Sequence, residues 1–236
     1  MMVPTASARA RLKSRVDTSK RGGSVQFPMG FVRSSDWNPP AAQMLRGGTL
    51  RAYLVLMMAA TKPPHGITIP PSELAELLDL PNPDRNGKRR VADILRRLQK
   101  NESLLRDLRP GRTTVTQILD PAGTGQPWSS KHLEKPWLTV PIGFWSHAWL
   151  LALSPAATSV LIALCELTQS RSLPTAFAEG GRKREYGLSP DTWTRGTKEL
   201  TDRGVVSVES KVLAHHGQPR QRKLYTLDRS ALDRDP

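Results

Sequence analysis

One pattern of helices and strands occurs twice along this chain, and it limits the folds open to it. Apolar residues spaced three and four apart predict helices over residues 49–60 and 73–80 and a third helix around Ile94. Two stretches of alternating apolar residues, 103–108 and 113–119, then predict a β-hairpin, because Arg-Pro-Gly-Arg between them can turn the chain. Three helices followed by a hairpin can enclose a small core.

The same order returns in the second half of the chain. Ser154 as N-cap, with Pro155 at the first helical position, predicts a strong helix to residue 168. The later elements are predicted as helices at 180–186 and 191–203 and strands at 205–209 and 223–227. The expected fold class is therefore mainly α with small β-hairpins, an α+β fold in two units.

Five segments follow from these patterns. Residues 1–46 contain several Pro, Gly and Ser with little apolar periodicity, so a mostly irregular basic arm is expected there. Residues 121–135 have the composition of a linker. The two folded units are expected at 47–120 and 136–229, with a C-terminal tail at 230–236.

The chain is strongly basic, with 35 Lys and Arg against 21 Asp and Glu and a formal net charge of +14. This balance is typical of proteins that neutralise phosphates, so a polyanion is the expected partner. The single cysteine, Cys165, excludes a disulfide framework or a thiolate zinc site within one chain. Apolar runs fall far short of the roughly 18 residues of a membrane span, and we expect a cytoplasmic protein.

Residues typical of catalysis are sparse. The sequence has no Gly-rich phosphate loop and no convincing Ser/His/Asp or Cys/His set, so a non-enzymatic protein is expected. Glu166, the acid most embedded in apolar sequence, is expected on the polar side of its helix. His215 and His216 lack a Cys or carboxylate partner at ligand spacing, and no metal or other cofactor is expected.

The most informative motif surrounds the helix at 191–203. Gly187 permits a tight turn, Ser189 can cap the helix and Gly204 can end it. Helical spacing directs Trp193, Gly196 or Thr197, and Leu200 toward the core. The side chains expected on the outer surface are Thr192, Arg195 and Lys198.

This stretch resembles the winged-helix signature of bacterial DNA-binding regulators and plasmid replication initiators. In specific residues the resemblance covers about 186–206, and in architecture roughly 48–228. It implies two winged helix-turn-helix domains in tandem that bind double-stranded DNA sequence-specifically, on repeated sites for an initiator-like protein. Such a protein would be associated with the nucleoid or a plasmid.

Two other functions fit the same resemblance. One is a transcriptional repressor on operator DNA, a homodimer whose exposed apolar surface is expected around Trp145, Trp149, Leu150 and Leu151. The other is a winged-helix module that contacts a protein partner, such as the replication or transcription machinery.

Candidate DNA contacts lie on both units, where Arg can read guanine and Thr can contact a base methyl group or a phosphate. In the second unit they are Ser189, Thr192, Arg195 and Lys198 on the helix and Lys211, Arg220, Arg222 and Lys223 in the loop of the wing. In the first unit they are Arg85, Lys88, Arg89, Arg90, Arg96, Arg109 and Arg112.

The first-unit candidates lie within a dense basic cluster. Residues 82–112 include ten basic and four acidic residues, a local net charge of +6. The turn before the helix is longer and richer in Pro than in the family motif, so DNA contact by this unit is the weaker expectation.

Overall fold

A computed structural model describes residues 3–46, 48–100, 104–109, 115–128, 137–169, 174–178, 180–215 and 218–236. Over these residues the fold is α+β, with helices surrounding three small antiparallel sheets. The same residues include no helix with the length and hydropathy needed to cross a membrane.

The elements of the first half are α1 (Ala6–Ser19), β1 (Ser24–Pro28), a 3-10 turn (Met29–Phe31), α2 (Pro40–Gln43), α3 (Thr49–Ala59), β2 (Gly66–Ile67), α4 (Pro71–Leu77), a π-helical turn (Pro83–Gly87), α5 (Lys88–Lys100), β3 (Leu105–Arg109) and β4 (Val115–Ile118). Those of the second half are β5 (Trp137–Pro141), α6 (Gly143–Ser146), α7 (Trp149–Ala152), α8 (Pro155–Gln169), β6 (Thr175–Phe177), α9 (Gly180–Glu185), α10 (Pro190–Asp202), β7 (Val206–His215), β8 (Gln218–Leu227) and a 3-10 helix (Arg229–Asp233).

The two halves repeat one topology. In the first, β2 lies between α3 and α4 in sequence and pairs with β4, giving the sheet order β2-β4-β3. In the second, β6 lies between α8 and α9 and pairs with β8, giving the order β6-β8-β7. The predicted hairpins are confirmed. The third strand of each sheet was not predicted, because two or three residues beside Pro-rich sequence are too short to show an alternating pattern.

The first helix of each repeat has a guanidinium at its C-terminal end, and α8 also has a side-chain cap at its N-terminus. The predicted cap of α8 is confirmed, since the Ala157 amide donates to Ser154 Oγ at 3.2 Å. At the C-terminal end of α3, the Arg21 guanidinium donates to the Met57 carbonyl at 2.7 Å. Arg229 donates to the Cys165 carbonyl near the end of α8 at 3.0 Å. A guanidinium thus satisfies C-terminal carbonyls of both helices and opposes the negative end of each dipole.

The expectation of a mostly irregular N-terminal arm is wrong. Helix α1 buries Ala8, Leu12 and Val16, which are spaced four residues apart along one face. The following strand β1 alternates buried and exposed residues and pairs antiparallel with β5 in the second half. The apolar residues of α1 are small or few, so the basic residues between them hid the helical period.

One contiguous hydrophobic cluster includes buried residues from both halves of the chain. Two hydrogen bonds also cross between the halves: Trp145 Nε1 donates to the Leu54 carbonyl at 3.1 Å, and Arg51 donates to the Leu153 carbonyl at 2.7 Å. In the expected linker, Trp128 is buried, and residues 129–135 lie outside the described residues. The halves therefore share a core.

The expected apolar dimer surface is not exposed. Trp145, Trp149, Leu150 and Leu151 are each at most 1% exposed. They lie on α6 and α7; α6 packs on α1 and on the C-terminal 3-10 helix, and the Trp149 indole donates to the Arg234 carbonyl at 2.8 Å. These apolar groups are covered by the chain itself, so the expected placement of a dimer surface there is wrong.

Candidate nucleic-acid interface

Helix α10 is held against α8 by a narrow apolar face. Trp193, Gly196 and Leu200 are buried, as their spacing predicts. A Cβ on Gly196 would lie 2.7 Å from the Ala156 carbonyl oxygen, so the two helices approach as closely as a glycine allows. The predicted cap is confirmed, because the Thr192 amide donates to Ser189 Oγ at 3.1 Å. These contacts fix which side of α10 faces outward.

The predicted contact residues of α10 differ in accessibility. The side chains of Arg195 and Lys198 are 69% and 75% exposed. Thr192 is only half-buried rather than fully exposed, and its hydroxyl lies 2.8 Å from that of Ser189. Arg195 pairs with Asp191 at 2.9 Å and Lys198 with Asp202 at 2.6 Å. Exposed pairs of this kind contribute about 0.3–0.5 kcal/mol, so a phosphate can displace either acid.

Helix α5 occupies the same place in the first repeat. Val91, Ile94 and Leu98 are buried, and the turn before the helix packs closely on α4 through the buried Gly87. The outward side of α5 and of the turn is mostly basic; its exposed charged residues are Asp84, Arg85, Lys88, Arg89, Arg90, Asp93, Arg96 and Lys100. The predicted helical candidates of the first unit therefore all lie on its exposed surface.

The two outward faces match in spacing and differ in charge. On α5 the exposed charged residues include Arg89, Asp93, Arg96 and Lys100, and on α10 they include Asp191, Arg195, Lys198 and Asp202. Along its length, α5 has six Lys or Arg and one Asp, whereas α10 has two basic and three acidic residues. Electrostatics therefore favours α5 over α10 as the helix nearer to a polyanion, the reverse of the ranking from sequence.

Three cations stand in the first turn of α5, where the positive end of the helix dipole disfavours them. Lys88 pairs with Asp84 at 3.5 Å, and Arg96 pairs with Asp93 at 2.8 Å. Within the described residues, neither Arg89 nor Arg90 forms an ion pair. Cations placed against the dipole without a paired acid are suited to an anion from outside the chain.

The wing of the second repeat is a ribbon of paired strands. Strands β7 and β8 are aligned over ten pairs, with Lys211 opposite Arg222 and Ser210 opposite Lys223. The expectation that Lys211, Arg220 and Arg222 lie in a loop is wrong, since β7 reaches His215 and β8 begins at Gln218. The apolar residues of this outer part stand together at 212–214 and Val212 is 68% exposed, so the sequence shows no apolar alternation there. Lys211, Arg220 and Lys223 are exposed, and Arg222 is half-buried.

The remaining candidates lie at the hairpin of the first repeat. Arg109 ends strand β3. Arg112 lies outside the described residues, as does His216 in the second hairpin.

Residues that sequence reasoning missed border α10 from the first half of the chain. A cleft of about 490 Å³ is lined by Arg51 together with Arg195 and Lys198. A second cleft of about 590 Å³ is lined by Arg46, Thr192 and Arg195. Because the chain between Arg46 and Arg195 is long, no local pattern could have placed these cations together.

Behind α9 lies a buried cluster of charged and polar groups. The Glu166 side chain is 3% exposed, so the expectation that it lies on the polar side of its helix is wrong. It pairs with Arg33 at 3.4 Å and with Arg182 at 3.3 Å, and it accepts a hydrogen bond from the Tyr186 hydroxyl. Burial and the neighbouring carboxylate raise the pKa of Tyr186. These contacts fasten α9 to α8.

Comparison with known proteins gives no relative. No protein-family model matches this sequence, and no curated protein or solved structure matches it significantly.

Proposed function

We propose that this protein is a non-catalytic, sequence-specific binder of double-stranded DNA built from two winged helix-turn-helix units in tandem. The repeated topology supports the proposal: each half contains a unit of three helices (α3 to α5 and α8 to α10), a short strand after the first of them, and a hairpin whose last strand pairs with that short strand. This is the order of a winged helix, in which the third helix enters the major groove. The observation that carries the proposal is that the third helix of each half exposes cations above a buried apolar face.

In this proposal α5 supplies most of the electrostatic attraction. Arg89 and Arg96 lie on its outward side, where a guanidinium can bind the O6 and N7 atoms of guanine. Helix α10 adds Arg195 and Lys198, and the wing adds Lys211, Arg220, Arg222 and Lys223 along the phosphate backbone. Contacts to phosphates release counterions, so affinity should fall steeply as salt rises.

The buried apolar region between the halves favours an initiator-like protein over a palindrome-binding repressor. The residues expected to join two repressor subunits lie on α6 and α7 and are buried within the chain itself. A single chain with two DNA-binding units in tandem is suited to bind two successive segments of one site, such as the repeated sequences of a replication origin. Replication initiation rests on this argument and on the family resemblance.

Selection from a pool of random-sequence duplexes tests the proposal. The full chain should retain duplexes at moderate salt, and sequencing of the retained fraction should reveal a preferred site in two parts. Retention without enrichment would mean that binding is not sequence-specific. If no duplex is retained at low or moderate salt, the proposed function is wrong.

A matched pair of variants tests the roles of the two helices. Arg96 and Arg195 are both exposed, and each is paired with one Asp of its own helix. We expect Arg96→Ala to weaken binding to the selected site by about 1–3 kcal/mol, with a smaller loss for Arg195→Ala. Fluorescence anisotropy on the selected and a scrambled duplex measures both. A larger loss for Arg195→Ala would restore α10 as the main reading helix.

A further inference from the structure

The loop between β1 and α2 exposes a tryptophan beside the second helix-turn-helix. Trp37 is 55% exposed, whereas Trp128, Trp145, Trp149 and Trp193 are at most 7% exposed. Exposing an indole is unfavourable by the hydrophobic effect. Trp37 also has φ of +62°, a left-handed conformation that costs a non-glycine residue about 1–3 kcal/mol. Strain and exposure at one residue indicate that its position serves a purpose other than folding.

Hydrogen bonds hold the loop rigidly against α9. The Ser34 amide donates to the Glu185 carbonyl at 2.9 Å, and the Trp37 amide donates to the Ser34 carbonyl at 3.3 Å. Gln43 donates to the Asn38 carbonyl at 2.8 Å. The Trp37 carbonyl lies so close to Gly187 that a Cβ there would be 2.7 Å away. The backbone at Trp37 therefore lies against the turn between α9 and α10.

A cleft opens next to this indole. It has a volume of about 570 Å³ and is lined by Met29, Arg33, Ser34, Ser35, Trp37, Arg182 and Glu185. Arg33 and Arg182 each pair with Glu185 at 3.6 Å, so the charges of the floor are partly neutralised. The Arg184 guanidinium lies 5.8 Å from the Trp37 ring centroid, is exposed, and forms no ion pair within the described residues. The cleft thus combines an aromatic wall with hydroxyl groups, and Arg184, which is not one of its lining residues, lies over the Trp37 ring.

We propose that this cleft binds an unpaired nucleobase of single-stranded DNA, which stacks on Trp37 while Arg184 contacts the adjoining phosphate. Aromatic side chains beside cations are how proteins bind single strands without sequence preference, because every base has a π-face. A base in a duplex is stacked on both sides and cannot present its face to the indole. This activity goes beyond the proposed duplex binding, and it can be measured without a duplex.

Titration of the full chain with a labelled oligothymidylate tests the proposal. Anisotropy of the label reports binding, and quenching of tryptophan fluorescence reports stacking. Trp37→Ala should weaken binding about 5- to 150-fold and remove most of the quenching. Trp37→Phe keeps an aromatic face and should retain most of the affinity. The control Trp137→Ala alters another partly exposed indole, at 38%, and should bind like the unaltered protein.

Two further ligands, an abasic oligonucleotide and a duplex, distinguish base stacking on Trp37 from binding to phosphates alone and from duplex binding. An abasic oligonucleotide of the same length keeps the phosphates and should neither quench Trp37 nor bind as tightly as oligothymidylate. Equal binding and quenching by the abasic strand would overturn the stacking site, as would unchanged affinity of Trp37→Ala for oligothymidylate. Duplex binding by Trp37→Ala should stay within about twofold of the unaltered protein. If the unaltered protein binds oligothymidylate through Trp37 and no duplex, only the proposed duplex function fails.

Discussion

Ser189 and Ser72 show what a single residue reveals before the fold is known. Ser189 precedes Pro190 and caps α10 as predicted, because a cap needs only the amide two or three residues onward. A helix predicted to begin at residue 73 would have Ser72 as its cap, but α4 begins at Pro71 with Pro70 before it. A proline at the first helical position outweighs a serine one residue later. Local capping chemistry is therefore predictable where no second helix start competes.

The sequence could not predict which distant residues a given side chain contacts. Glu199 accepts hydrogen bonds from the Ser154 amide and hydroxyl at 2.9 and 2.5 Å, across the junction of α8 and α10. Glu166 is buried by Arg33 and Arg182, which come from distant segments. Neither carboxylate is marked by its neighbours in sequence, because only packing decides which distant cation it meets.

Gly196 is the residue at which the packing of α10 on α8 can be tested most directly. A Cβ there would lie 2.7 Å from the Ala156 carbonyl oxygen and 2.8 Å from Val160 Cγ2. We expect Gly196→Ala to lower the free energy of unfolding by about 1–3 kcal/mol, in spite of the higher helix propensity of alanine. Urea denaturation measures the loss. Gly181→Ala on α9, where a Cβ would meet nothing within 4 Å, is the control and should cause no loss.

At the scale of elements, long amphipathic helices were predictable and extended polar ribbons were not. The predicted span 49–60 agrees with α3 at Thr49–Ala59, but the helix is buried on nearly all sides rather than on the one face that the spacing predicts. The strands of the β7–β8 ribbon are about twice as long as predicted. The prediction was too short because only the inner pairs of the ribbon bury side chains and so show an alternating pattern. The sequence could thus predict which side of a helix its candidate contacts lie on. For the wing it could predict only that the candidates lie in the same hairpin.

Helix α1 was missed, and one substitution tests its role. Leu12 is fully buried where α1 packs, whereas Val3 is 79% exposed. We expect Leu12→Ala to lower the free energy of unfolding by about 2–5 kcal/mol, because it leaves a cavity in the shared core. Val3→Ala removes apolar atoms from the same segment and should be neutral in the same urea titration. Equal stability of the two variants would contradict the packing of α1 as a core helix.

At the scale of the molecule, the two repeats can be predicted from the sequence, but the hydrophobic core that they share cannot. Each repeat follows from periods and turns within about 80 residues of sequence. The shared core depends on β1 pairing with β5 and on Trp145 reaching Leu54, contacts between segments about 90 or more residues apart. No periodicity in a single sequence indicates which of its residues, so far apart along the chain, will be in contact. A continuous core holds α5 and α10 in one body, so in the proposed function the two helices would lie at a fixed distance from each other on DNA.

Trp145 tests whether the halves unfold as one body. Its indole is fully buried among residues of both halves and donates to the Leu54 carbonyl at the centre of α3. Trp145→Ala should lower the free energy of unfolding by about 3–5 kcal/mol. Hydrogen exchange should show α3 and α8 losing protection together, because both helices belong to the one hydrophobic cluster that contains Trp145. Trp137→Ala, at a partly exposed indole, should leave both helices protected. Loss of protection confined to one half would mean that the repeats are independently stable, and their spacing on DNA would then be set by the site rather than by the protein.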